Sequence, residues 1–281
     1  MGKYGDIHYL LDRPEPSNIF LEARQIAGFQ LQEQFKIYNK EQEISSSNQG
    51  FKWVKTELTY PSFSHLTFAF KNKIFAIVIE LIDNSGSTFN KQQQENLLNA
   101  CSENNLIPCL FKINVKENPN RLIIDGDDDI ELKPIEKGWN LYDANNNEKI
   151  IPVNLSTEEP TLMSNWELSN FAIQVVISDL EKTSNQILSF CDLLEINPQI
   201  WFKDKDGNVG WVIVKCHHPN FNYELEDWMG IQNNIKSLMP FNGYFASVKF
   251  ESMNSKSTSI LLRGEQFHVD YDGLKRIYTT T

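Results

Sequence analysis

The side chains most able to do chemistry gather after one stretch, Pro198–Lys215, which reads PQIWFKDKDGNVGWVIVK. An apolar run, Ile200–Phe202, enters a charged segment at Lys203–Asn208, and a second apolar run, Trp211–Val214, ends on Lys215. Asp206-Gly207 supplies the positive-φ turn that a β-hairpin needs. His217-His218-Pro219 follows at once. Adjacent residues on an extended chain point to opposite faces, so the two imidazoles are poorly set to share one metal ion. One of them, His217, could serve as a general base beside Lys215. The plainer reading is a polar loop after a strand.

Other motifs are weaker. Asp125-Gly126-Asp127-Asp128-Asp129 places oxygens at alternate positions, and Glu136 falls at the twelfth place of a calcium-loop count. Ile130 stands at the sixth place, where the tight loop requires glycine, and Pro134 would break a following helix. A charged turn between strands is the expectation. Cys101, Cys109, Cys191 and Cys216 show no CxxC spacing and are expected to be reduced core residues of a cytoplasmic protein. No glycine pattern forms a nucleotide cradle, no serine sits in GxSxG, and no cofactor is expected. Trp139 and Trp228 could anchor a partner, though tryptophans more often fill cores.

These groups need elements to hold them. Ile19, Phe20, Ala23, Ile26, Ala27 and Phe35 recur at helical spacing behind Ser17, a cap residue, which predicts a helix over about 18–39. Phe51–Leu58, Leu66–Phe70 and Ile74–Ile82 read as strands, the last nearly continuous and β-branched, as for a strand buried on both faces. A helix at Gln92–Cys101, a strand at Leu106–Ile113 and short strands through 122–153 follow. Leu155–Pro160 is the expected linker, since Ser156–Pro160 holds no apolar residue, and domains are placed at 1–155 and 156–281. Beyond it, Leu168, Phe171, Ala172, Val175, Val176, Leu180, Ile187, Cys191 and Leu194 share a helical face. After the hairpin come a helix at Tyr223–Leu238 and strands at Phe241–Phe250, Ser257–Leu262 and Gln266–Tyr271. The fold class expected is therefore α/β: two tandem α/β units, each a mixed β-sheet flanked by helices. The order of elements repeats between the halves, with Phe75–Glu80 in the place of Trp211–Lys215; Glu80 and Lys215 lie 135 positions apart.

Residues 165–250, and more loosely 18–114, resemble the core of the PD-(D/E)XK nuclease superfamily, the restriction-endonuclease-like fold. In that family a helix precedes a hairpin whose strands carry Pro-Asp and acid-x-Lys. The resemblance implies a divalent cation such as Mg²⁺ on two carboxylates, activating water, with the lysine offsetting developing charge. Pro198 and Lys215 match this pattern. Gln199 and Ile213 stand in the two acid positions, and neither can hold a hard cation. In the first half the matching strand reads Ile77-Val78-Ile79-Glu80, with no lysine following on that strand. Under the resemblance, an active enzyme would have to use relocated groups: Lys215 and His217 with Glu195, Asp192 or Glu181 from the helix ahead.

Charge narrows the partners. Formal net charge is −11, with 16 Lys and Arg against 21 Asp and Glu up to residue 155, and 10 against 16 after it. Neither half is basic, which argues against nucleic acid, because such affinity rests on cations that displace counterions. No run reaches the length of a membrane span, and the first residues lack the apolar core of a signal peptide. The expectation is a non-catalytic binding or regulatory protein with a protein partner, immunity-like in character. A metal-dependent nuclease is the alternative.

Overall fold

The computed structural model describes residues 3–4, 17–43, 50–57, 65–83, 86–87, 91–117, 130–194, 196–218, 241–253 and 260–277. In chain order these form β1 (Lys3–Tyr4), α1 (Asn18–Glu41), β2 (Phe51–Trp53), β3 (His65–Phe70), β4 (Lys73–Asp83), β5 (Gly86–Ser87), α2 (Lys91–Asn104), β6 (Ile107–Glu117), β7 (Ile130–Pro134), β8 (Leu141–Asp143), β9 (Lys149–Ile150) and α3 (Pro152–Leu155). Then follow α4 (Asn165–Lys182), β10 (Gln186–Phe190), β11 (Ile196–Asn197), β12 (Ile200–Lys203), β13 (Val209–His217), β14 (Asn242–Ser252), β15 (Phe267–Tyr271) and β16 (Lys275–Arg276). The chain is α/β, with two mixed sheets flanked by helices. It divides into two units. One comprises Glu15–Lys55 and Phe63–Glu159; the other comprises Pro160–Thr281 with Met1–Pro14 and Thr56–Ser62. The change of unit at Glu159 falls inside the stretch without apolar residues, and the described pair Thr56–Glu57 belongs with the C-terminal unit.

In the N-terminal unit the strand order is β2-β3-β4-β6-β8-β9, with β5 on β4 and β7 on β6. Helix α1 starts where the Ser17 hydroxyl accepts the Phe20 N–H, a side-chain cap. Its buried residues Ala23, Ala27, Leu31 and Phe35 recur every fourth position, one stripe facing the sheet. They meet Phe68, Phe70, Phe75, Ile77, Ile79 and Phe111 in one core. Trp139 joins that core, edge-on to Phe35 at 4.8 Å between ring centroids, so it is a packing residue rather than an exposed anchor. Trp228 lies outside the described residues, as do the expected helix at Tyr223–Leu238 and the acidic turn at Asp125–Asp129.

In the C-terminal unit the order is β10-β12-β13-β14-β15, with β16 also on β14. Helix α4 opens with a full capping box: the Ser164 hydroxyl accepts the Glu167 N–H, and the Glu167 carboxylate accepts the Ser164 N–H. The helical spacing seen in sequence runs on to Leu194, but α4 ends at Lys182. Ser184 takes a left-handed φ of 64°, the N–H groups of Thr183 and Asn185 turn back onto the Leu180 carbonyl, and Gln186–Phe190 becomes a strand. The strand expected over Ser257–Leu262 is reduced, within its described part, to a single bridge between Leu262 and Leu162.

The two sheets share their register. Eight parallel pairs join β4 to β6, from Phe75–Ile107 to Ile82–Asn114. Eight join β13 to β14, from Gly210–Asn242 to His217–Lys249. Every pair of the second set is the first moved on by 135 residues. Outer strands follow suit: β7 and β15 pair the C-terminal halves of β6 and β14, and β8 and β16 pair the N-terminal halves. The hairpin partner slips by one, since Leu66–Ile77 becomes Ile200–Val212. The longer turn of the C-terminal hairpin takes up that residue.

Candidate functional site

The hairpin β12–β13 is the place where sequence pointed to chemistry, and its turn is built as a side-chain cage. The Asp204 carboxylate accepts the N–H groups of Asp206 (2.9 Å) and Asn208 (2.8 Å), and Gly207 takes φ +85°. The loop spans 204–208, closed by the Lys203–Val209 pair, and so is longer than the two-residue turn that Asp-Gly suggests. Donors from Asn208 hold the Asp204 carboxyl below its usual range. A Cβ at Gly243, on the neighbouring strand, would stand 2.4 Å from the Trp211 ring, so only glycine lets that indole lie flat on β14.

Alternation along β13 sends Val212 and Val214 toward α4, into a core with Leu168, Ile173, Val176 and Phe250. Ile213 and Trp211 go to the opposite face with Trp201, all three essentially without exposure. Lys215 follows Ile213 on that face and is half-buried, with Ser247 as its register partner on β14. Ile213 is thus sealed among tryptophans.

Gln199, expected at the first acid position of the resembled hairpin, is itself buried. Its Oε1 accepts the Val214 N–H at 2.9 Å, and its Nε2 donates to Asn197 Oδ1 at 2.8 Å. The Gln199 N–H continues the ladder to the Val212 carbonyl. The oxygen end of the amide thus ties the entry of β12 to β13, and the nitrogen end ties it back to Asn197 in β11. An aspartate could take only the acceptor half of this work.

The other candidate residues disperse. His217 is exposed at the end of β13, and His218 is buried, which lowers its pKa. Glu181 is exposed in the last turn of α4. Glu195 lies outside the described residues. Asp192 has no exposure at all. Its Oδ2 accepts the Asn170 amide at 2.8 Å and the Glu57 N–H at 3.2 Å, while its Oδ1 accepts nothing among the described residues. Burial pushes its carboxyl up to about 7, against the pull of the Glu57 N–H, the Asn170 amide and the nearby Trp166 indole, with the Glu57 charge adding to the rise. Among the described residues no three His, Cys, Asp or Glu side chains come together as metal ligands. Gln199, Ile213 and Lys215 do not fit a divalent cation, since they offer no free anionic oxygen.

Residues 166–277 match the family model of a domain of unknown function, DUF8840. The match begins at the second residue of α4 and ends just after β16, so it takes in one of the two repeated sheets and less than half of the chain. No curated protein and no solved structure matches the chain. Among the described residues no helix is long and apolar enough to cross a membrane.

Two charge relationships inside the units escaped sequence reading. In the segment that matches that family model, Arg263 grips Glu167 with two parallel bonds of 2.8 Å, and both side chains are almost fully buried. In the N-terminal unit, Glu80 meets Lys112 across β4–β6, so the lysine absent behind Glu80 on its own strand stands opposite it. The only advance signal for this pair was the parallel register of two buried strands, which sequence does not number.

Proposed function

We propose that the chain is a non-catalytic binding or regulatory protein of the cytoplasm, built on a nuclease-like scaffold that recognises a protein partner instead of cutting a phosphodiester. Gln199 carries this reading. Hydrolysis in the family that the hairpin resembles needs two carboxylates on one cation. Here the first position is an amide consumed at both ends, and the second is an isoleucine packed with Trp201 and Trp211. The order of helix, hairpin and further strands supports the same scaffold. A net charge of −11 supports a basic protein as the partner, as in an immunity-like role where a harmful protein is neutralised.

The test is direct. The full chain and Lys215→Ala are incubated with DNA and with RNA, in Mg²⁺ and in Mn²⁺. The expected result is no cleavage by either. Cleavage by the natural chain that disappears in the variant would overturn the proposal in favour of a nuclease with relocated acids. The positive counterpart is retention of a basic protein on the immobilised full chain, weakening as salt is added.

A further inference from the structure

Strand β15 is the last strand of the C-terminal sheet, and among the described residues no strand pairs its outer edge. An open edge presents a row of N–H and carbonyl groups that can pair with another chain. Its five residues are Phe267-His268-Val269-Asp270-Tyr271. Their order is chemically symmetric about Val269. Laid antiparallel against itself and centred there, the strand sets Val269 opposite Val269, Phe267 opposite Tyr271, and His268 opposite Asp270. Phe267 and Tyr271 pack on the core beneath α4, whereas Val269 between them keeps 36 % of its surface exposed. The register with β14 extends the symmetry, since His268 stands opposite Glu251 and Asp270 opposite Lys249. Across two β15 strands each row would read Lys249, Asp270, then His268 and Glu251 of the second copy. Sign alternates at every step of that row when the histidine is charged. Strand edges are commonly blunted against such pairing by proline or by cover. Strand β7, which holds the corresponding place on β6, ends on Pro134 and buries its central Leu132. Strand β15 has neither protection.

We propose that β15 is a dimerisation edge: two copies of the chain pair antiparallel through Phe267–Tyr271, joining their C-terminal sheets into one. A two-fold contact uses the same patch on both copies, and the order of these five residues is self-complementary in that arrangement. The charges select the partner. A strand of another protein would have to match both His268 and Asp270, whereas a second copy does so by its own sequence. The contact is small, so the dimer is reversible and forms as concentration rises.

The experiment is sedimentation equilibrium of the full chain over a concentration series, at about pH 5.5 and about 0.15 M salt, with amide exchange read at low and high concentration. The natural chain should pass from monomer to dimer, and amides within 267–271 should gain protection as it does. Asp270→Lys sets a cation against His268 twice per dimer, and His268→Glu sets a second anion against Asp270 twice. Each should raise the dissociation constant about tenfold. Mixed in equal amounts, the two variants are complementary again, and they should associate as tightly as the natural chain. A natural chain that stays monomeric throughout, or a dimer that both variants leave unchanged, would overturn the proposal. So would dimerisation without protection at 267–271, or protection there that appears only with a different protein. Where a variant does not fold, exchange in the natural chain decides alone.

Discussion

Glu80 and Lys112 are register partners on the parallel pair β4–β6, with Nζ and Oε2 3.6 Å apart and both side chains nearly buried. Lys112 also donates to Asn147 at 2.5 Å and lies 4.7 Å over the Tyr142 ring, whereas Glu80 Oε2 accepts no hydrogen bond among the described residues. Moved on by 135 residues, the same two positions are Lys215 and Ser247. One sheet place therefore holds an acid facing a lysine in one unit and a lysine facing a serine in the other.

The Glu80 carboxylate depends on Lys112 to offset its charge. Lys112→Ala should cost on the order of 3 kcal/mol, the usual consequence of leaving a buried charge alone. Glu80→Gln in the same background should recover much of that loss. Urea unfolding of the four members of the cycle gives the coupling; strict additivity would show that the two side chains do not interact.

Arg263 and Glu167 form the bolt between the start of α4 and the segment before β15. Because both are buried and doubly bonded, Arg263→Ala should destabilise the C-terminal unit by about 3–5 kcal/mol. Arg263→Lys should rescue little, since an ammonium cannot reproduce the two parallel bonds. The midpoint of denaturant unfolding checks both variants.

Gly243→Ala should cost on the order of 1–3 kcal/mol, the usual range for overpacking a core. The new Cβ would lie 2.4 Å from a ring atom of Trp211, which is fixed against β14 and cannot turn aside. A drop in thermal midpoint, with altered tryptophan emission, is the expected readout. An unchanged midpoint would mean that the indole does not lie on this glycine.

Global stability should also carry the Asp192 carboxyl. Its folded pKa, about 7, lies above the unfolded value. The folded state therefore binds the extra proton, and its contribution is present in full below the unfolded pKa, roughly 4, and lost as pH rises toward 7. The loss amounts to roughly 4 kcal/mol. Unfolding free energies at stepped pH should fall across that window in the natural chain and less steeply in Asp192→Asn. Stability that instead climbed through it would contradict the raised carboxyl.

Local patterns in the chain determined most of the architecture. Period-four apolar residues after Ser17 and Ser164, the β-branched run at Ile74–Ile82 and the Asp-Gly turn each act within a few residues, so helix, buried strand and hairpin could be read directly. That Gln199 and Ile213 carry no anionic oxygen is likewise a matter of side-chain chemistry alone. Where α4 ends was decided elsewhere: Gln186–Phe190 has a helical period, yet its pairing with β12 outweighs it. Only the tertiary structure decided that Lys112 faces Glu80, that Arg263 reaches back to Glu167, and that Asp192 is shut in with Asn170 and Glu57. Each of these joins residues far apart in the chain, and their meeting depends on strand register and burial, which arise when the whole sheet closes on its helices.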